Sequence, residues 1–362
     1  MREPKRYAII PAGGKSTRFI GDSPKMMRTH PDGQLMLQKA INTFEGLGVE
    51  KVYLIVTAEL VNTFDLKIKL EQAFGEFLEI VTLTKQTNSS VETVLKGIEL
   101  LGNNISLHDQ VFIKDVDNLV EIDKTDFDFD TSGTVGINLN TSEIKRVSNK
   151  SFIKHDNGIV IDFVEKQIIS EIISVGTHYF KNISEFIIPA KELMSTISEN
   201  VSELYISHVI AKSVYNGNIF KYYEAISYKD FGTQDDWEEE RNNFKTFFCD
   251  FDGTLVKNIG KYGSRSWKDR EDEGLEENLE IIKNLINKGG QLIITTSRPS
   301  TEREYILSFL KDKGINTYEV ICGLNHSQRV LINDYYNTNL YPTAVAYNVK
   351  RNGNLNEFNL DR

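Results

Sequence analysis

The sequence predicts an α/β protein of two domains, residues 1–243 and 244–362, the first on a doubly wound mixed sheet and the second on a smaller, mostly parallel one. Three observations predict it. Short β-branched runs alternate with helical stretches at βαβ spacing in the N-terminal part. A fresh apolar strand restarts the alternation near residue 245, and the acidic run Asp235-Asp236-Trp237-Glu238-Glu239-Glu240 stands between the two patterns.

In order, residues 7–11 read as a strand, 34–44 as a helix, 51–57 as a strand, 61–77 as a helix, and 79–84 and 110–114 as strands. More antiparallel strands follow at 134–138, 154–164 and 172–180, then a helix-rich stretch to about 215. The second pattern has strands at 245–250, 291–296, 318–322 and 329–333, with helices at 276–288 and 301–313.

Composition narrows the function. The 362 residues are 40% hydrophobic and 26% charged, within the globular range. A formal charge of −10 argues against nucleic acid, which needs a basic face to release counterions. No apolar run is long enough for a membrane span and no signal peptide opens the chain, so a cytoplasmic protein is expected. The 2 cysteines, Cys249 and Cys322, lie in apolar segments without CxxC spacing, and the 6 histidines show no HxH or HExxH spacing. Any metal is therefore expected on carboxylates, which suit Mg²⁺.

A buried strand runs through Pro11 and Ala12 into Gly13-Gly14-Lys15-Ser16-Thr17-Arg18. Glycines let backbone N–H groups approach a phosphate, and Lys15, Arg18 and Lys25 can neutralise a triphosphate. A P-loop is excluded, because that motif needs glycine where Ile9 stands. PAGGKSTRF with Ser23-Pro24-Lys25 resembles the signature of the sugar-phosphate nucleotidyltransferases. The resemblance continues in the family's order with Asp117-Asn118, Phe163-Val164-Glu165-Lys166, Glu203-Leu204-Tyr205-Ile206-Ser207 and Asp230-Phe231-Gly232-Thr233.

Such transfer brings two phosphates together, so catalysis is positioning and charge neutralisation. The resemblance implies that Asp117 and Asp230 bind Mg²⁺, with Asp115 in reserve, that Lys25 and Arg18 act on the triphosphate, and that Glu165, Lys166 and Glu203 serve the second substrate. It puts Pro11, Ala12, Gly13, Gly14, Lys15, Gln86, Ser89 and Ser90 at the nucleotide. Ser89-Ser90-Val91 opening a helix at the base-reading position looks more like small cytidylyltransferases than uridylyl- or thymidylyltransferases, which favours CTP. Pro11 stands where the family usually has Leu or Ala, and no LGG-type sugar loop is found. These departures leave room for a non-pyranose acceptor such as a polyol phosphate beside a sugar phosphate.

Phe247-Phe248-Cys249-Asp250-Phe251-Asp252-Gly253-Thr254 is an apolar strand ending in Asp-x-Asp-Gly-Thr. It resembles the first motif of the haloacid dehalogenase superfamily, whose first aspartate attacks phosphorus while the second protonates the leaving oxygen. Asp250 and Asp252 take those roles by resemblance and hold Mg²⁺ together with Asp334. Thr296 would contact the phosphate, and Arg329, Lys311 and Lys313 are candidates for the usual lysine. About forty residues separate Asp252 from the next strand, leaving no room for a large cap. The capless site suits a bulky substrate or cover from a neighbouring copy in a homo-oligomer.

Together these resemblances imply a bifunctional enzyme of capsular or other surface-polysaccharide precursor synthesis, a nucleotidyltransferase joined to a phosphatase. A glycosyltransferase on the same fold would share Asp-x-Asp but lack the Lys25 and Glu165-Lys166 elements. A nucleotide-sensing protein with degenerate sites is the rival from outside enzymology.

Overall fold

The computed structural model describes residues 3–13, 24–125, 127–142, 144, 146–196, 203–258, 271–334 and 344–360. The chain divides into two compact units, Met1–Asp236 and Trp237–Arg362. The division falls inside the acidic helix Gln234–Asn243, whose last residue is the boundary expected from sequence.

The first unit has strands β1 Arg6–Pro11, β2 Lys51–Thr57, β3 Leu78–Leu83, β4 Gln110–Lys114, β5 Asn118–Ile122, β6 Ser132–Asn138, β7 Ser151–Asp156, β8 Ile159–Glu165, β9 Ile172–Phe180 and β10 Phe220–Asp230. Among the described residues they form one sheet ordered β3-β2-β1-β4-β9-β6-β10-β8-β7, with β5 joined to β10. β3, β2, β1 and β4 are mutually parallel, whereas β9 is antiparallel to both β4 and β6. β7 turns back to pair with β9 through Phe152 and Ile173, so this end of the sheet curls on itself.

Helices α1 Met36–Asn42, α2 Ala58–Phe64, α3 Leu66–Phe74, α4 Ser90–Leu101, α5 Ile183–Thr196 and α6 Ile206–Tyr215 accompany the sheet, and α7 is Gln234–Asn243. β1 shows why both faces must be covered. Its successive side chains point oppositely: Tyr7 and Ile9 join an apolar cluster with residues of α4, α5 and α6. Ala8 and Ile10 join another with residues of α1 and α3. A strand apolar on both faces is the mark of a parallel sheet wound with helices on either side.

The second unit has a parallel sheet in the order β11 Thr246–Asp250, β12 Gln291–Thr295, β13 Glu319–Ile321, with helices α8 Glu276–Asn287 and α9 Arg303–Asp312. Phe251, Leu255, Leu279, Ile282, Leu292, Ile294, Ile306 and Leu310 form its core.

Four expectations change. The strand read over 154–164 is the β7–β8 hairpin, reversed at Asn157 and Gly158, both with positive φ (49° and 80°), as the Asn-Gly pair favours. The helix read over 61–77 breaks at Asp65, whose φ of 51° is left-handed. β5 and β10 were not anticipated. Finally, no strand forms over 329–333: Val330, Leu331 and Ile332 are 72%, 49% and 91% exposed, and Arg329 turns to the carbonyls of Asn325 (2.8 Å) and Ser327 (2.7 Å) in its own loop.

Gly97 fixes how closely α4 lies on β2. A Cβ there would sit 2.0 Å from Ile55 Cδ1 and 2.8 Å from its Cγ1, and Ile55 is wholly buried. Gly97→Ala therefore lowers stability by about 1–3 kcal/mol through overpacking, outweighing the roughly 1 kcal/mol by which alanine favours a helix. The expected reading is a lower midpoint for the first domain's unfolding, partly recovered when Ile55→Val removes the nearest atom. An unchanged midpoint in Gly97→Ala rules out the close packing.

Candidate active sites

β1 delivers Pro11, Ala12 and Gly13 to the C-terminal edge of the sheet, where Ala12 N–H donates to Ile55 O (2.9 Å). The nearest atoms to a Cβ on Gly13 would be Thr57 Cγ2 at 3.8 Å and Thr93 Cγ2 at 3.9 Å, so packing within the chain does not demand glycine there. Gly14, Lys15 and Arg18 lie outside the described residues. Next to this turn, α4 begins at Ser90, and the Ser89 hydroxyl caps it by accepting from Glu92 N–H (3.1 Å). Glu92 in turn accepts from Asn88 N–H (2.7 Å). Ser90 Oγ donates to Leu204 O (3.4 Å), and Gln86 is exposed.

Strand pairing explains how distant aspartates meet. β4 ends at Lys114, the chain turns through Asp115 to Asp117, and β5 pairs with β10 so that Asn118 lies opposite Asp230. Phe231 N–H donates to Asp117 O (2.8 Å) and Gly232 N–H to Asp230 Oδ1 (2.9 Å). A Cβ on Gly232 would lie 2.9 Å from Asp230 Oδ1 and 3.5 Å from Asp117 Oδ2, so both carboxylates converge on one backbone point.

Each carboxylate carries an ammonium. Lys25 Nζ pairs with Asp117 and also donates to Gly232 O (3.2 Å). Lys150 Nζ pairs with Asp230 and donates to Tyr228 Oη (2.8 Å). Burial disfavours the charged amine of Lys150, but Tyr228 and Asp230 outweigh it and hold its pKa above the ordinary lysine value.

Asp115 is exposed to solvent yet closely surrounded by protein. That enclosure, with Asp117 beside it, pushes its pKa up, and the wholly buried Lys114 is pushed down by desolvation. Gly176, at φ +66°, makes the room: a Cβ there would sit 2.1 Å from Asp115 Oδ2. Lys114 Nζ holds the turn by donating to the Asn118 side chain, to Asn118 O (3.3 Å) and to Asp115 O (3.4 Å).

The open end of the β7–β8 hairpin forms the next wall. Lys166 N–H donates to Lys150 O (3.0 Å), and Lys166 has a left-handed φ of 56°. Its Nζ donates to Tyr205 Oη (2.6 Å), which donates to Glu203 Oε2 (2.5 Å). Lys166 and Glu203 are thus joined, whereas Glu165 accepts from Ser207 Oγ (2.8 Å) and Ser151 Oγ and braces β8 against α6. Lys150, Tyr228 and Tyr205 were missing from the expected set. Tyr205 lies inside the quoted ELYIS string, but nothing local marks Lys150.

In the second unit β11 carries Asp250 to the sheet edge beside Thr295 of β12. Asp252 accepts from Thr296 Oγ1 (3.2 Å) and from Arg298 Nε (3.0 Å) and Nη2 (2.6 Å). The same guanidinium forks onto Asp272, at 2.7 and 2.9 Å, and lies over the Phe251 ring at 4.8 Å. The side chains of Arg298 and Asp272 are buried, and neither residue was expected at the site. Enclosure by protein and the nearby Asp252 raise the Asp250 pKa to about 6, while Arg329 and His326 act against the rise. Arg329 and Asp334 both lie on one exposed, irregular segment. Among the described residues no three Asp, Glu, His or Cys side chains are grouped to hold a metal.

Comparison with known proteins separates the two units. Residues 247–359 match the haloacid dehalogenase-like hydrolase family. The nucleoside-diphosphate-sugar pyrophosphorylase of Vibrio cholerae RC9 superposes with a TM-score of 0.56 at 20% identity, covering 65% of this chain and 99% of its own. The inositol-1-phosphate CTP transferase of T. maritima gives 0.50 at 17% identity over 65% of this chain and 93% of its own. A UDP-glucose pyrophosphorylase complexed with UDP-glucose gives 0.50 at 17% over 66% and 98%. No curated protein matches the chain. At these identities the structures establish the fold, and no helix among the described residues is long and apolar enough to cross a membrane. The chain therefore joins a domain of the sugar-phosphate nucleotidyltransferase fold to a haloacid dehalogenase-like hydrolase domain.

Proposed function

We propose that the first domain transfers a nucleotidyl group from a nucleoside triphosphate, CTP in preference, to a sugar or polyol phosphate, and that the second hydrolyses a phosphate monoester. Activated precursors of a capsular polysaccharide are the expected products. The convergence of Asp117 and Asp230 on Gly232, with an ammonium on each, carries the reading. Two carboxylates plus substrate phosphate oxygens are a donor set that Mg²⁺ takes. Bound there, Mg²⁺ supplies charge that lets two phosphates approach.

The chain's own groups do the rest. Gly13 lets backbone approach the triphosphate, and Lys25 neutralises it together with Lys15 and Arg18. Lys166, with Tyr205 and Glu203 behind it, orients the acceptor phosphate and a hydroxyl. An acceptor phosphate oxygen bonds to the α-phosphorus, the α–β bridging bond breaks, and pyrophosphate leaves with the electron pair. In the second domain an Asp250 oxygen bonds to phosphorus as the ester oxygen departs with a proton from Asp252, and water then cleaves the aspartyl-phosphate. Arg298 fixes the side chain of Asp252 beside Asp250 through its Nε and Nη2 donors. Asp334 and Arg329 are the remaining metal and phosphate candidates.

Asp117→Asn and Asp230→Asn should each reduce pyrophosphate release at least about 100-fold, on the scale of other transition-state charge contacts, with the fold retained. Near-normal turnover in either would remove that residue from the metal site.

Ser89 and Ser90 at the head of α4 motivate the base preference. Competition among CTP, UTP, ATP and dTTP should leave CTP the best substrate. A clear win for UTP or dTTP would discard the cytidyl reading and keep the transfer.

A nucleophilic Asp250 must be ionised. With its pKa raised to about 6, phosphatase kcat/KM should fall as pH drops through that region, and the fall should move to lower pH as Mg²⁺ saturates the site. Asp250→Asn should abolish phosphatase activity and leave pyrophosphate release near its original rate. A pH profile flat down to pH 4, or an active Asn variant, would count against Asp250.

A further inference from the structure

The first site presents an unusual balance of charge. Asp117 and Asp230 meet at Gly232, and each is held by a lysine from another part of the chain, Lys25 from the turn after the glycine-rich segment and Lys150 from the start of the β7–β8 hairpin. Neither amine is a surface group: the side chains of Lys25 and Lys150 are only 10% and 17% exposed. Lys150 is further fixed by Tyr228 Oη at 2.8 Å, and Lys25 by Gly232 O at 3.2 Å. Behind them Lys114 and Asp115 add one more potential charge of each sign.

Two carboxylates and two ammonium groups sum to zero. A divalent cation entering alone meets carboxylates already engaged and two positive charges within a few ångströms. In a site this little exposed to solvent, that repulsion weakens the binding of a lone divalent ion. A triphosphate reverses the balance. Its oxygens accept the displaced ammonium groups, and the carboxylates are released to the metal.

We propose that Lys150 and Lys25 keep the two metal-binding carboxylates closed as ion pairs in the nucleotide-free protein, so that the divalent ion is admitted together with the triphosphate. This rests on the nucleotidyl-transfer reading and assigns Lys150 a place in it. Lys150 also reports to the acceptor side, because its carbonyl accepts from Lys166 N–H while Lys166 Nζ engages the Tyr205–Glu203 pair. The amine exchanged at Asp230 and the amine offered to the acceptor phosphate therefore stand on paired residues at the ends of adjoining strands.

The test measures Mn²⁺ binding to the full chain by the loss of the free-ion electron paramagnetic resonance signal, with and without a non-hydrolysable α,β-methylene CTP. Without nucleotide, Lys150→Met and Lys25→Met should each bind Mn²⁺ at least about tenfold more tightly than the parent, and Lys150→Arg, which keeps the charge, should bind like the parent. Adding Asp230→Asn to Lys150→Met should remove the gain. Parent-like, nucleotide-free binding in both methionine variants overturns the proposal, and Lys25→Met decides alone if Lys150→Met does not fold. The nucleotidyl-transfer reading is judged separately. If Asp117→Asn and Asp230→Asn each still lower Mn²⁺ binding in the nucleotide complex, the metal site stands even when the lysine proposal fails. If neither does, the acids are not metal ligands and both fall.

Discussion

The pairing of β5 with β10 is the constraint on which the first site depends. Asn118 and Asp230 lie opposite each other in that ladder, so the turn after β4 and the end of β10 cannot separate without breaking strand pairing. Two acids brought this close in an enclosed space repel, and the arrangement is sustained because lysines from two other segments arrive with the compensating charge. Backbone pairing sets the distance and ion pairing makes it tolerable. The small residues Gly232 and Gly176 are the steric side of the same bargain, since side chains there would collide with Asp230 and Asp115.

The second site solves a similar problem differently. Asp250 and Asp252 come from one strand end, so proximity is given by the chain itself, and the compensating charge is a single buried guanidinium. Arg298 divides its donors between Asp252 and Asp272, which fixes the side chain of Asp252 through a planar fork no lysine could supply. Asp250 is left outside that clamp, and its enclosure together with the neighbouring Asp252 raises its pKa to about 6.

Much of this was legible in the sequence because the informative residues sit in local strings. A strand into glycines, Asp-x-Asp after apolar runs and the βαβ alternation each rest on neighbours a few positions apart, and among the described residues the structure keeps the strand as far as Gly13, both Asp-x-Asp turns and the alternation. What was not legible depends on partners far away. Lys150 sits in an unremarkable Asn-Lys-Ser sequence and acquires meaning only from Asp230, 80 positions later. Asp272 lies in a charged loop without pattern, so the partner of Arg298 was invisible. The Asn157-Gly158 turn was readable and would have divided the strand expected over 154–164. The opposite error arose at 329–333, where β-branched composition suggested a strand, but composition cannot say whether a neighbouring ladder will accept one.

That last segment has a consequence for the behaviour of the protein in concentrated solution. Among the described residues β11 ends the sheet β11-β12-β13, Phe248 on it is 51% exposed, and Val330, Leu331 and Ile332 are 72%, 49% and 91% exposed in the same unit. A strand at the end of a sheet and an exposed apolar run of strand-forming residues are the two ingredients of edge-to-edge association. Among its described residues the second unit thus carries a colloidal liability, and an added charge at Ile332 is the economical way to suppress it.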